Sequence, residues 1–252
     1  TDRPSHIEHV FWIDTYRNFR EQGLPSNICY PSFEYVDECV DLYQHFDITK
    51  PGYMLSSEYF YPEFETKVLE ENDSYLIEQT EKGIIQKRLK TGSSVPHYIE
   101  YPVTGKTDYQ ELRHRLIGNY SKRYPENWES RVSLMKKQDF AAIIFHTDGF
   151  FGYPRELMGL EKFLISMYSD PAFISQLILD RAYFYCEFLE KAFQDIQPDM
   201  VFIWEDMCYK NGPLVSPEMF EKFMLPGYLI FTDFLKAMGV TNIIVDSDGD
   251  VT

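Results

Sequence analysis

Basic residues are scarce in this chain of 252 residues: 24 Lys and Arg stand against 40 Asp and Glu, a net charge of −16. The densest basic stretches, Lys87–Lys90 and Lys136–Lys137, are short, so neither nucleic acid nor an anionic membrane surface is a suitable partner. Cysteine is also sparse. Cys29, Cys39, Cys186 and Cys208 lie far apart with no CxxC pair, and they read as buried free thiols in a reducing cytoplasm. No signal peptide and no apolar run long enough to span a bilayer is present. GxGxxG, P-loop, GxSxG and HExxH motifs are all missing, which removes the commonest nucleotide, serine-hydrolase and zinc-protease readings.

What the chain does have is aromatic and apolar residues, 17% and 44% of the total. That is enough for a sizeable core in one domain spanning residues 1–252, and too aromatic for disorder. Three short apolar runs end in polar bursts: Ala141–Phe145 into His146, Thr147, Asp148 and Gly149; Met200–Trp204 into Glu205 and Asp206; Thr241–Val245 into Asp246, Ser247, Asp248, Gly249 and Asp250. Such runs predict strands buried on both faces of a parallel sheet, with ligands bound at their carboxyl ends.

Between the runs lie helix signals. A strand at Ile7–Ile13 is expected to lead into a helix that stops at Gly23–Leu24–Pro25, and Phe33–Tyr43 carries a second helical pattern. Tyr75–Thr80 and Ile84–Leu89 predict a β-hairpin, inserted near residues 75–90. Asp170–Pro171 and Ser216–Pro217–Glu218 are N-caps followed by proline at the first helical position. Alternating βα units favour a TIM (β/α)8 barrel. The expected units number about five, and the last strand runs into Thr252 without a covering helix, so the expectation is a C-terminally truncated, incomplete barrel.

Asp148, Glu205, Asp206, Asp246, Asp248 and His146 would converge at one rim, suited to a divalent cation or to a carboxyl acting as acid or base. The alternative for each acid is to cap the next helix or to bind loop amides.

Leu157–Glu161, Asp170–Phe173, Trp204–Met207, Leu214–Phe220 with Pro226, and Val245–Gly249 together resemble the uroporphyrinogen decarboxylase superfamily, which includes cobamide-dependent methyltransferases. The resemblance implies a TIM-barrel enzyme, and its leading implication is methyl transfer involving a corrinoid protein as partner. Asp246 and Asp248 would then orient a metal or a small-molecule substrate, and Glu205 or Asp206 would serve as acid or base. Trp12, Phe150 and Tyr153 would wall the pocket, with His146 and Asp148 at the substrate. In the methyltransferase branch a zinc-binding His-x-Cys motif ends the last of these strands. Here Asp246 and Asp248 stand in that register, and a metal site would draw on Asp246, Asp248 and His146 and favour a harder ion than a thiolate site does. The alternative is a metal-free decarboxylase of uroporphyrinogen or another carboxylated substrate, with Asp47 of Phe46–Asp47–Ile48 as the catalytic acid. That side of the superfamily implies a homodimer. A third reading is a non-catalytic barrel that binds a tetrapyrrole or a partner.

Overall fold

The structure is a computed structural model. It describes residues 11–30, 40–48, 52–54, 58–91, 95–137 and 143–251, and of 40, 41, 52–54, 143, 144 and 146 the backbone only. The strand expected at Ile7–Ile13 lies outside these residues up to Val10, and Ile13 already opens the Ile13–Glu21 helix. Most of the Phe33–Tyr43 pattern also lies outside them.

Two sheets form. Gly52–Met54, Ile143–Asp148, Met200–Trp204 and Asn242–Asp246 make a four-stranded parallel sheet in sequence order. Lys67–Glu71, Tyr75–Gln79, Ile85–Leu89 and His97–Glu100 make a separate antiparallel meander. The expected hairpin is the centre of that meander, with Tyr75 opposite Leu89 and Gln79 opposite Ile85. Gly83 supplies the positive φ of +79° in the turn, and its backbone sits against the Phe64 ring, where a Cβ would come within 2.8 Å.

Among the described residues the expected (β/α)8 barrel does not form. Closure requires every strand to have two neighbours, and four parallel strands are too few. Among the described residues, Gly52–Met54 and Asn242–Asp246 end the parallel sheet as open edges, and the other long strands belong to the meander. The strands are also not buried on both faces. Along Met200–Trp204, Val201 and Ile203 are buried while Met200, Phe202 and Trp204 are half-buried. The Asn242–Asp246 strand is mostly exposed.

Helices cover the buried face. Pro171–Asp195 is the longest, at 25 residues, and its inward stripe of Phe173, Leu177, Phe184, Phe188 and Phe193 is buried. It begins as the sequence predicts, with Pro171 in the first turn and the Asp170 carboxylate accepting from Phe173 N at 3.2 Å. Ser216 caps the next helical segment in the same way, accepting from Met219 N at 3.2 Å. Arg113, on the Lys106–Leu116 helix, makes a bidentate pair with Asp180, through Nε at 2.6 Å and Nη2 at 2.7 Å. Tyr109 OH joins the same carboxylate at 2.7 Å, tying that helix to the long one.

The thiol expectation is corrected at one position: Cys186 and Cys208 are free, but Cys29 is disulfide-bonded. Among the described residues no helix is long and apolar enough to cross a membrane.

Candidate functional site

Parallel register aligns the strand ends. Asp148 pairs with Trp204, and Trp204 with Asp246, so Asp148 and Asp246 stand level on either side of Trp204. Glu205 and Asp206 follow directly, and Glu205 N donates to Asp246 O at 3.1 Å. The three acid-tipped runs therefore meet at one end of the sheet, as the sequence implies.

The acids at that end do different things. Glu205 is fully buried. Its Oε1 accepts from Phe150 N at 2.7 Å and from Tyr228 OH, and its Oε2 accepts from Phe151 N and Gly152 N, both at 2.7 Å. These amides open the Gly152–Met158 helix, so the carboxylate closes a helix N-terminus from inside the core. Burial raises the carboxyl, the hydrogen bonds pull against that rise, and the balance lies at about 7. The four donors around it offset only part of the rise that burial causes. Glu205 thus takes the capping role rather than that of an accessible acid. Gly149 belongs to the same device, because a Cβ there would lie 2.1 Å from Glu205 Cδ.

Asp206 points the other way. Its backbone is left-handed, with φ of +47°, unusual for a residue with a side chain. Its carboxylate is half-buried and lies 3.4 Å from Arg155 Nη1, while Arg155 sits over the Trp204 ring at 5.5 Å. Burial raises the Asp206 carboxyl, Arg155 lowers it, and Asp248 and Asp246 push it up further. Asp206, Asp246 and Asp248 therefore form one electrostatic group. Ser247, between the last two, accepts from Met207 N and Cys208 N, both at 3.1 Å, and fixes the loop after Asp206.

Asp148 leads to a cluster that sequence reasoning missed. Its carboxylate accepts from Tyr59 OH, and its carbonyl from Tyr185 OH at 2.5 Å. Tyr185 OH also lies 2.8 Å from Glu58 Oε2. Arg181 Nη2 reaches Glu58 Oε2 at 3.0 Å and the Tyr185 oxygen at 2.6 Å, and Nη1 reaches Glu58 O at 2.6 Å. The Arg181 guanidinium stacks 4.0 Å from the Tyr153 ring and 4.2 Å from Tyr185. Arg123, also buried, donates through Nη1 to Tyr59 O at 2.6 Å. Two buried arginines thus pin consecutive carbonyls of an irregular stretch, Glu58–Tyr59, against the sheet end. No motif announces this, since Glu58, Arg123 and Arg181 are single charges at wide spacing; the one available signal was a lone Arg181 on the apolar stripe of a long helix.

The other expected residues fall as follows. Tyr153 is buried in this cluster, and burial raises its hydroxyl to about 12. Phe150 is a core ring, 4.9 Å from Tyr228 and 6.3 Å from Phe231, rather than a pocket wall. Trp12 is exposed at the head of the Ile13–Glu21 helix. Asp47 occupies a left-handed turn, φ 53°, after the Leu42–His45 helix, and is exposed. His146 lies on the central strand, and its side chain is outside the described residues. Among the described residues no three His, Cys, Asp or Glu side chains gather in a way that could hold a metal ion, and of the expected set Asp246, Asp248 and His146 the imidazole lies outside them.

No protein-family model matches the chain, and no curated protein does, so the superfamily resemblance of the motifs has no family match beside it. One similar solved structure is a methyltransferase from Methanosarcina mazei, 10% identical, with a TM-score of 0.40 over 62% of this chain and 45% of that one. The chain thus spans less than half the length of that methyltransferase, and a likeness at this level assigns neither fold nor family.

Proposed function

We propose that the chain is an enzyme that transfers a methyl group from a small molecule to an acceptor carried by a corrinoid protein, with Asp206 as the acid. The observation that carries the acid role is the placement of Asp206: a half-buried carboxylate in a strained backbone, at the sheet end where ligands bind in open α/β sheets. The methyl-transfer part rests on the sequence resemblance. When a methyl group moves to a nucleophile, the bond to oxygen, nitrogen or sulfur breaks and its electron pair stays on the leaving atom, which then takes up a proton. A carboxyl whose proton affinity is raised by burial and by two neighbouring aspartates suits that task. Burial, Asp248 and Asp246 raise the proton affinity of Asp206 against the pull of Arg155, which orients the carboxylate. The corrinoid, on its own protein, would supply only the methyl acceptor.

The test is methyl transfer from O-, N- and S-methyl donors to reduced cobalamin, followed by absorbance. Wild type should turn over one donor class, and Asp206→Asn should lose about a hundredfold or more. A wild-type protein inert toward all three classes, or an Asp206→Asn variant at wild-type rate, rejects the proposal.

A further inference from the structure

Proton counting in the Glu58 cluster identifies a residue that the proposed reaction does not yet use. Tyr185 has one hydroxyl proton and two lone pairs. Its oxygen has three partners: Arg181 Nη2 at 2.6 Å, Asp148 O at 2.5 Å and Glu58 Oε2 at 2.8 Å. Arg181 can only donate, and a main-chain carbonyl can only accept. The shorter oxygen–oxygen contact, to Asp148 O, therefore takes the Tyr185 proton. Glu58 Oε2 then faces a lone pair of Tyr185, and the 2.8 Å contact is a hydrogen bond only if the proton comes from Glu58.

Asp148 has the opposite environment at its carboxylate, where Tyr59 OH donates to Oδ2. Two carboxyls of one cluster are thus arranged for opposite roles, the pattern by which acid and base are told apart in known sites. We propose that Glu58 is the proton-holding residue of the strand-end site, a neutral carboxylic acid in the resting protein, while its neighbour Asp148 faces a hydroxyl donor. The role, though not the protonation state, rests on the acid–base reading of the site given above: Glu58 would be the store from which the site is reprotonated after a leaving group has taken its proton.

The groups facing Glu58 come from every side. Arg181 and Tyr185 lie on the Pro171–Asp195 helix, Asp148 at the end of the central strand, Tyr153 on the Gly152–Met158 helix, and Tyr59 next in the chain. Burial, the largest influence, and the Asp148 charge favour the neutral form; Arg181, the Asp148 amide and a Tyr185 hydroxyl turned toward Oε2 favour the ionised one, and the contact to Asp148 O turns that hydroxyl away. Arg181 Nε is buried with no hydrogen-bond partner among the described residues, which marks the guanidinium as placed for this cluster at some cost.

Infrared difference spectra of the intact chain, wild type minus Glu58→Gln, test the proposal. A neutral Glu58 gives a carboxylic-acid C=O band at mildly acid pH that fades as pH rises through neutrality and is missing from the variant. Tyr185→Phe, which removes the acceptor, should move that fading to lower pH. The inference is overturned if wild type shows no such band, or if the band is present unchanged in Glu58→Gln. Should Glu58→Gln fail to fold, the side-chain carboxyl 13C resonance of Glu58 in wild type decides: a neutral-acid shift supports the inference, and a carboxylate shift at mildly acid pH overturns it. None of these spectra needs substrate, so an absence of methyl transfer would count against the proposed reaction and not against the state of Glu58.

Discussion

Gly149 and Glu205 show how tightly the strand ends are built at the level of single residues. A methyl group on Gly149 would overlap the Glu205 carboxylate, with Cβ 2.1 Å from Cδ, 2.1 Å from Oε1 and 2.6 Å from Oε2. The carboxylate cannot retreat, since four donors hold it. Gly149→Ala should therefore destabilise by about 3 kcal/mol or more, measured by denaturant unfolding. That Glu205 and Asp206 would differ was legible in the sequence, because neighbouring residues leaving a strand face opposite ways. Which one turns inward was not, because it depends on where the Phe150–Gly152 amides lie, set by a segment more than fifty residues earlier. The Glu58–Arg181 cluster was illegible for the same reason at greater range: its members are brought together by helix packing and by carbonyl contacts that carry no sequence signature.

Among the elements, helix starts were the best-read features, because a cap is local. Asp170 and Ser216 do what Ser, Asp and proline at a helix head always do, and Asp170→Ala should cost about 1 kcal/mol, read as a shift in unfolding midpoint without a change of slope. The two-stranded hairpin signal at Tyr75–Leu89 was likewise local and correct, while its extension into a four-stranded meander by Lys67–Glu71 and His97–Glu100 was not foreseen. The apolar runs before Asp148, Glu205 and Asp246 marked the parallel strands and the meeting of their acid ends, but not their two-faced character. Alternation is hard to see when the half-buried face carries Met200, Phe202 and Trp204, which are as apolar as the buried one.

At the scale of the whole molecule, counting βα units suggested a barrel, and the open sheet shows why such counts mislead: closure is a property of all the strands together. Charge behaviour is more directly predictable. Folding raises both Glu58 and Glu205 from an ordinary 4.5 to about 7 through burial. For an acid raised on folding, the folded state binds the proton more tightly than the unfolded one. The resulting stability is complete below about 4.5 and is lost as pH rises through about 7. The melting temperature should therefore fall between mildly acid and mildly alkaline pH, and Glu58→Gln should flatten part of that fall. A melting temperature that rises steadily over the window would contradict the burial of two proton-binding carboxyls.

The division of labour among the strand-end acids is the central claim, and denaturant unfolding of Glu205→Gln beside Asp206→Asn tests it most directly. Glu205→Gln sets an amide N–H against amide and hydroxyl donors in the core and should lose about 3 kcal/mol. Asp206→Asn keeps a residue tolerant of the left-handed backbone and removes repulsion from Asp246 and Asp248, so its stability should equal or exceed that of wild type. The reverse result, a stable Glu205→Gln and a collapsed Asp206→Asn, would mean that Asp206 builds the sheet end and Glu205 is free to act.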